Sequence, residues 1–459
     1  MNSKTVFAVA LLGGFAWSCQ APSTYDSPHA APAQAVPVQP RSADAGSVTA
    51  QQRQWSPADG IQSLLLRAET ESPEVRGAFH RWQAAHARIS QANALPDPWV
   101  SLGGYVQSVE TANGPMDGKI GISQKIPWPG KLETAGDRSA ALAEAQRMEI
   151  ENARLKVRRR FLRDWTERIY LEQAKAITAE QVELLQNVED VSLGLYQASR
   201  ASQADVLRAQ VERLKMSDRL DSLKQREQPL EANLEAVLGL SMASQASWQD
   251  LSALDQAQLP AEESLQALLF ESSPQLLALE ARLDAAAESR ELAKLDSMPD
   301  FSVGADWTWI GEGNSVSPDA GDDAISVSIA VEIPLHQGRI EGAREQAFAE
   351  TRSLVELRER LRWQLLADLQ GALSKHEDAQ RRITLFDQEL LPKAEMTYQT
   401  ALASYQSGQS GFQSMLDAAR VVLDFRLSSA RATADAALAF ADLNGILPIA
   451  LLAAKELNR

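Results

Sequence analysis

The chain has 459 residues, 44% hydrophobic and 23% charged, a balance that excludes both wholesale disorder and a polytopic bundle of membrane helices. Its formal charge of -16 leaves no basic surplus for binding a phosphate backbone. One Cys and five His exclude a disulfide framework and a structural zinc site.

The first predicted element is a leader. Lys4 precedes an apolar run from Val6 to Trp17, too short to span a bilayer but suited to a signal-peptide core. Ser18-Cys19 at its end resembles the lipobox of bacterial lipoproteins, in which the Cys is acylated after cleavage. Leu is preferred in that motif where Ala16 stands here, and Trp17 is unusual. Gln20 rather than Asp after the Cys implies, by the same resemblance, sorting to the outer membrane. An ordinary secretory signal with an incidental Cys is the alternative. Expected boundaries are a signal peptide at 1–18 and a lipidated N-terminus with a flexible Ala/Pro/Gln/Ser-rich tether at 19–56.

From about residue 57 the chain repeats itself. Ser72-Pro73-Glu74 returns as Ser273-Pro274-Gln275, Pro96-Asp97 as Pro299-Asp300, and Ile126-Pro127 as Ile333-Pro334. Gly130-Lys131 returns as Gly338-Arg339, Tyr196 as Tyr405, Leu207 as Leu416 and Leu234 as Leu443. The offset widens from 201 to 209 residues in short steps, as loop insertions would widen it. Two copies of one unit are therefore expected, at 57–258 and 259–447, followed by a tail at 448–459.

Each copy follows one order. A helical stretch (about 57–94; about 260–296) ends at a Pro. A Gly-, Trp- and β-branched-rich hairpin follows (97–129; 300–337), then a very long Ala/Leu/Glu/Arg/Gln-rich run (131–193; 339–404). A break leads into a returning helix (about 203–239; about 412–446). From Lys131 to Leu193 the run would be roughly 95 Å of helix, the length of a coiled coil or elongated bundle. Pro229 and Pro392 are expected to kink or interrupt their helices.

The hairpins carry strand periodicity. Ile325, Val327, Ile329, Val331 and Ile333 alternate with small or polar residues; Ile120, Ile122 and Ile126 do the same in the first copy. The outgoing strands, Trp99 to Val109 and Phe301 to Ile310, have the length of membrane-spanning β-strands. Polar loops are expected at Thr111–Asp117 and Glu312–Asp323. Trp99, Tyr105, Trp128, Trp307 and Trp309 suit the membrane interfaces. A half-buried sheet packed on helices would give the same alternation. Four strands cannot close a barrel, and an open edge is forbidden in lipid, so membrane spanning would require oligomers.

The duplicated unit resembles the TolC-type outer-membrane efflux family. Leu95-Pro-Asp-Pro-Trp99, Ser123-Gln-Lys-Ile-Pro-Trp-Pro-Gly-Lys131 and the stretch from Tyr196 to Gln210 carry that resemblance, which covers 57–447. It implies a mainly α protein with a membrane β-barrel: a homotrimer whose twelve-stranded barrel continues into an α-helical tunnel built from 131–239 and 339–446. It further implies a passive exit duct in a Gram-negative outer membrane, lipid-anchored through Cys19, working with a periplasmic adaptor and an inner-membrane pump. Gly194-Leu195 and Tyr405–Gly411 would form the adaptor-contacting tips. The family's Tyr-x-x-Gly tip stands as Tyr405-Gln-Ser-Gly408 in copy two; Ser199 replaces the Gly in copy one. The family's Asp-x-x-Asp aperture is reduced to Ser414-Met-Leu-Asp417, with Asp205 as a weaker candidate from copy one.

A non-channel periplasmic coiled-coil lipoprotein scaffold is the second reading. An enzyme fits poorly. Gly130-Lys131 lacks the flanking residues of a phosphate loop, and His29, His80, His86, His336 and His376 show no nucleophile or ligand spacing. No cofactor or metal is expected. The cargo, metal cation or other small molecule, is left open by the residues.

Overall fold

The computed structural model describes residues 60–241, 259–312 and 318–447. The expected signal peptide, the whole tether at 19–56 with Cys19, and the tail at 448–459 lie outside them.

Both copies begin with two helices where the pattern suggested one. Ile61–Glu71 (α1) and Pro73–Asn93 (α2) meet at Ser72. Their counterparts in copy two, which follow the elements described next, meet in the same way. Pro at the first helical position lacks an N–H that would be orphaned anyway, so each Pro starts a helix, and the residue before it is pushed to extended ψ.

Strands Trp99–Thr111 (β1) and Gly114–Ile126 (β2) lead into Lys131–Gln197 (α3), an unbroken 67-residue helix of about 100 Å. Gln203–Gln225 (α4) and Glu227–Leu238 (α5) return along it. Copy two gives Glu262–Ser272 (α6), Pro274–Leu295 (α7), Asp300–Ile310 (β3), Ala324–Glu332 (β4) and Gln337–Thr384 (α8). A π-helical segment, Leu385–Leu390, then joins α8 to Leu391–Gln406 (α9), and Phe412–Asn444 (α10) returns. Both expected proline interruptions occur: Pro229 sits in the first turn of α5, and Pro392 follows the π segment.

The first hairpin corrects an expectation. The polar stretch Thr111–Asp117 is not a loop, because only 112 and 113 turn. The Thr111 hydroxyl donates to Gly114 O at 2.7 Å and accepts from the Asn113 N–H at 3.3 Å, and Gly114 takes φ 133. The chain reverses in two residues, and Pro115 and Met116 pair with Glu110 and Val109.

All four strands form one antiparallel sheet in the order β1-β2-β3-β4, so the hairpins are joined through β2–β3. The main core lies where α3 meets α1, α5, α6, α8 and α10. Phe161, Leu162, Leu234, Leu265, Leu269, Leu369 and Phe440 are nearly inaccessible there. Ala432, Ala434, Ala436, Ala437, Ala439 and Ala441 are buried along α10, and their small side chains let neighbouring helices approach. A second cluster, with Leu185, Val188, Tyr405, Phe412, Met415 and Leu416, holds the far ends of the helices together.

Candidate functional site: the sheet and the helix tips

Register fixes the two faces of the sheet. Ile120 pairs with Trp307, Ile122 with Ala305 and Ile126 with Phe301; Ile325 pairs with Trp307, Val327 with Ala305, Ile329 with Val303 and Val331 with Phe301. Directly paired residues share a face, so these side chains form one apolar surface. Apart from Phe301 at its helix end, which Trp128 covers, it is exposed among the described residues: Ile325, Val327 and Ile329 are 77%, 75% and 75% exposed. That counts against a half-buried sheet on helices. The opposite face carries Ser101, Lys119, Gly121, Ser123, Asp306, Ser326 and Ser328 by the same register. Among the described residues, β1 and β4 each have one unpaired edge.

Of the aromatics expected at membrane interfaces, Trp307 and Trp309 lie on the apolar face with ring centroids 6.4 Å apart. Trp99 pairs with Ser123 and shares the polar face with Ser101, so its exposed ring points away from the isoleucine row. Tyr105 falls in the irregular stretch of β1 between Gly104 and Val109. Trp128 stands past the strand, stacked on Phe301 at 6.0 Å, with its backbone N–H donated to Asp300 Oδ1 at 3.0 Å.

That contact belongs to an ionic junction where strands become helices. Lys125 reaches Glu332 at 2.5 Å and Asp300 at 3.3 Å, and Lys131 reaches Asp300 at 2.7 Å. The Pro127–Gly130 turn can face this cluster because Gly130 takes φ 92, which a side chain would resist.

At the other end, both turns use one cap. Ser199 donates its N–H to Tyr196 O and Arg200 to Leu195 O; Gly408 donates to Tyr405 O and Gln409 to Ser404 O. This is the Schellman arrangement, with Ser199 at φ 59 and Gly408 at φ 78. The Tyr-x-x-Gly spacing therefore marks a left-handed residue three places after the Tyr, and Ser199 adopts it despite its side chain. Gly194 and Leu195, expected to form the break, are inside α3, because the carbonyls of Gly194 and Leu195 serve the cap. Tyr405 is buried against Phe412, and its hydroxyl lies 3.1 Å from Ser192 Oγ on α3. Burial pushes the Tyr405 phenol above its ordinary value, which the Ser192 contact partly offsets.

Asp417 and Ser414 are exposed on one side of α10. Asp417 accepts from Gln413 at 2.9 Å and from Arg420 at 3.3 Å. Arg420 also donates to Glu212 on α4, a nearly buried carboxylate. Burial opposes ionisation of Glu212, but hydrogen bonds from Arg420 and Lys215 outweigh it and hold the carboxyl below its usual range. Glu212 and Arg420 stand 208 residues apart, and no local pattern pairs them. Asp205 does not join this group. It closes a capping box with Ser202 at the start of α4, and that capping accounts for the residue.

Residues 265–447 match the family model described as outer membrane efflux protein. Over this stretch the chain resembles the outer membrane efflux proteins. Among curated relatives, the "Pyoverdine export outer membrane protein OpmQ" of Pseudomonas putida is 24% identical over 440 residues, spanning 89% of this chain and 88% of that protein. Among solved structures, the outer-membrane channel OprN aligns at TM-score 0.74 and 18% identity, covering 85% of this chain and 90% of that one. VceC of Vibrio cholerae aligns at 0.69 and 18%, covering 84% and 95%. These identities establish the shared fold, and the family is one of efflux channels rather than enzymes.

Proposed function

We propose that this efflux protein is the outer-membrane exit duct of a tripartite export system, anchored through Cys19 and assembled as a homotrimer. Three four-stranded sheets close a twelve-stranded barrel, each β4 pairing with the β1 of the next copy. The tunnel is built from α3 to α5 and from α8 to α10. The observation that carries this reading is a sheet with a largely exposed apolar face and, among the described residues, two free edges, which lipid and further strands would satisfy.

The helix level supports the same assembly. Leu207, Val211 and Leu214 make an exposed apolar stripe at helical spacing on α4. A cleft between α9 and α10, lined by Ala394, Thr397, Ala418, Val421 and Phe425, offers a complementary surface on the next copy. Asp417 and Ser414 border that cleft, and a threefold ring of Asp417 would make an acidic constriction favouring cations. The tips around Ser199 and Gly408 would meet a periplasmic adaptor coupled to an inner-membrane pump. The relative named for pyoverdine export favours a small-molecule cargo over a bare metal cation.

The purified full-length protein should give discrete conductance steps in planar bilayers and a heat-sensitive oligomer on gels. Absence of both would leave the scaffold reading. Fractionation separates the two as well, since Cys19→Ser should release a scaffold from membranes but not a barrel.

A further inference from the structure

We infer that Lys119 and Asp306 form a solute-binding couple on the polar face of the sheet, suited to cargo that carries both an ammonium and a carboxylate. The inference deepens the exit-duct reading and rests on it, because that face lines a lumen only in a closed barrel. Between the loop end of the sheet and the ionic junction the face is nearly bare of charge. Lys119 sits opposite Gly103 and Thr308, and Asp306 sits opposite Gly121 and Ser326. The two charges therefore stand on adjacent strands, one row apart, and neither row holds another.

Opposite charges placed this way ordinarily neutralise each other. Diagonal neighbours on one face of an antiparallel pair stand roughly 7–8 Å apart, within reach of a long side chain. Among the described residues, however, neither Lys119 nor Asp306 makes an ion pair or a hydrogen bond. Two glycines account for that. The Asp306 side chain lies over Gly121, where an added Cβ would collide with its carboxylate and stand 2.8 Å from the Ser101 hydroxyl. The Lys119 stem lies over Gly103, where an added Cβ would stand 3.5 Å from Cγ and 3.7 Å from Cε. Each side chain leans flat across the strand on the β1 side of its own, so the lysine turns away from the aspartate.

The contrast with the junction is direct. There Lys125 binds both Glu332 and Asp300, and those charges satisfy one another. The Lys119–Asp306 couple instead keeps both its charges for what passes along the wall. A solute of one sign meets attraction at one residue and repulsion at the next. A solute of both signs finds a partner for each. Threefold closure sets three such couples around one level of the lumen, among glycine, serine, threonine and alanine, with the charged groups laid against the wall rather than across the passage. Gly121 is a positioning residue in this arrangement, since the seat it leaves holds the carboxylate apart from Lys119.

Planar-bilayer recording on the full-length protein tests this, with triglycine as the zwitterionic probe. Triglycine should reduce the open-channel current, and its singly charged forms, N-acetyl-triglycine and triglycine amide, should need about threefold more for the same effect, the scale of one exposed charge contact. Asp306→Asn and Lys119→Gln should each weaken the triglycine effect by about threefold. They should also shift the reversal potential in opposite directions, towards anions and towards cations. Exchanging the two charges, Lys119→Asp with Asp306→Lys, should restore the triglycine effect. Gly121→Ala keeps both charges but lifts the carboxylate from its seat, and should weaken the effect too; if that variant loses the oligomer, Asp306→Glu displaces the charge instead. Steps that singly charged probes reduce as well as triglycine does, or that neither single variant alters, overturn the couple and leave the duct standing. Absence of both conductance and the heat-sensitive oligomer overturns the duct, and the couple with it.

Discussion

Placing an arginine on alternate residues of β4 separates a lipid-facing surface from a merely exposed one. Ile329 and Ser328 are neighbours near the middle of the strand, pointing to opposite faces, and both are exposed in the single chain. If the isoleucine face meets hydrocarbon, Ile329→Arg near the bilayer midplane costs about 2–4 kcal/mol per chain. That is about a 30- to 700-fold loss in the folding constant, at roughly 1.4 kcal/mol per factor of ten. Ser328→Arg faces the water-filled side and should cost under about 1 kcal/mol, while reducing conductance and shifting selectivity towards anions. Urea titration of the protein refolded into lipid vesicles measures the first effect, and single-channel recording the second. Equal destabilisation by the two variants, or a larger effect at Ser328, would refute the assignment of faces.

Three further outcomes follow from named contacts. Ser199→Gly should stabilise the first tip by about 1 kcal/mol by relieving a positive φ, and Gly408→Ala should destabilise the second by a similar amount, since nothing else would meet the added methyl; thermal melts of each variant check this. Arg420→Met should cost about 1–2 kcal/mol at neutral pH by leaving Glu212 nearly buried with only Lys215. Because the Glu212 carboxyl is depressed in the fold, its stabilisation is present above the ordinary carboxylate range and lost only as pH falls through the depressed value; the variant should lose it at higher pH in denaturant titrations. Leu207→Glu with Leu214→Glu should leave the chain helical by circular dichroism yet abolish the heat-sensitive oligomer, and a persistent oligomer would remove the α4 stripe from the interface.

What the sequence discloses depends on whether the determinant is local. Period-two alternation from Ile325 to Ile333 located β4, and the Ser-Pro, Pro-Asp and Tyr-x-x-Gly echoes exposed the duplication, because each rests on backbone chemistry within a few residues. The two-residue turn at Ala112-Asn113 is shorter than the polar pattern implies because the Thr111 side chain supplies the closing hydrogen bonds, which no local turn residue signals. Pro392 signalled an interruption, but not that the chain would absorb it as a π turn rather than a kink. The ion pairs that join elements, Arg168 with Glu231 and Arg420 with Glu212, were illegible. Partners 63 and 208 residues apart leave no spacing to detect. Residue type places Trp99 at a membrane interface but not on a face of the sheet, which its pairing with Ser123 sets.

The two levels of the proposed assembly impose different radii, and this gives the strand-to-helix junction its work. Twelve strands about 4.8 Å apart, tilted about 40°, close at a radius of about 12 Å. Twelve helices about 9–10 Å apart close at about 18 Å. Each chain must therefore step outward where Ile126 and Glu332 hand over to α3 and α8. Pro127, Pro129 and the left-handed Gly130 make that step in four residues, too few to hold a direction by themselves. Asp300 lies at the centre of the contacts that fix it, accepting from Lys125, Lys131 and the Trp128 N–H. In the proposed assembly, barrel and tunnel would share one symmetry at unequal radii only while this corner keeps its angle, which would account for an ion cluster at the helix end of the sheet rather than along its strands.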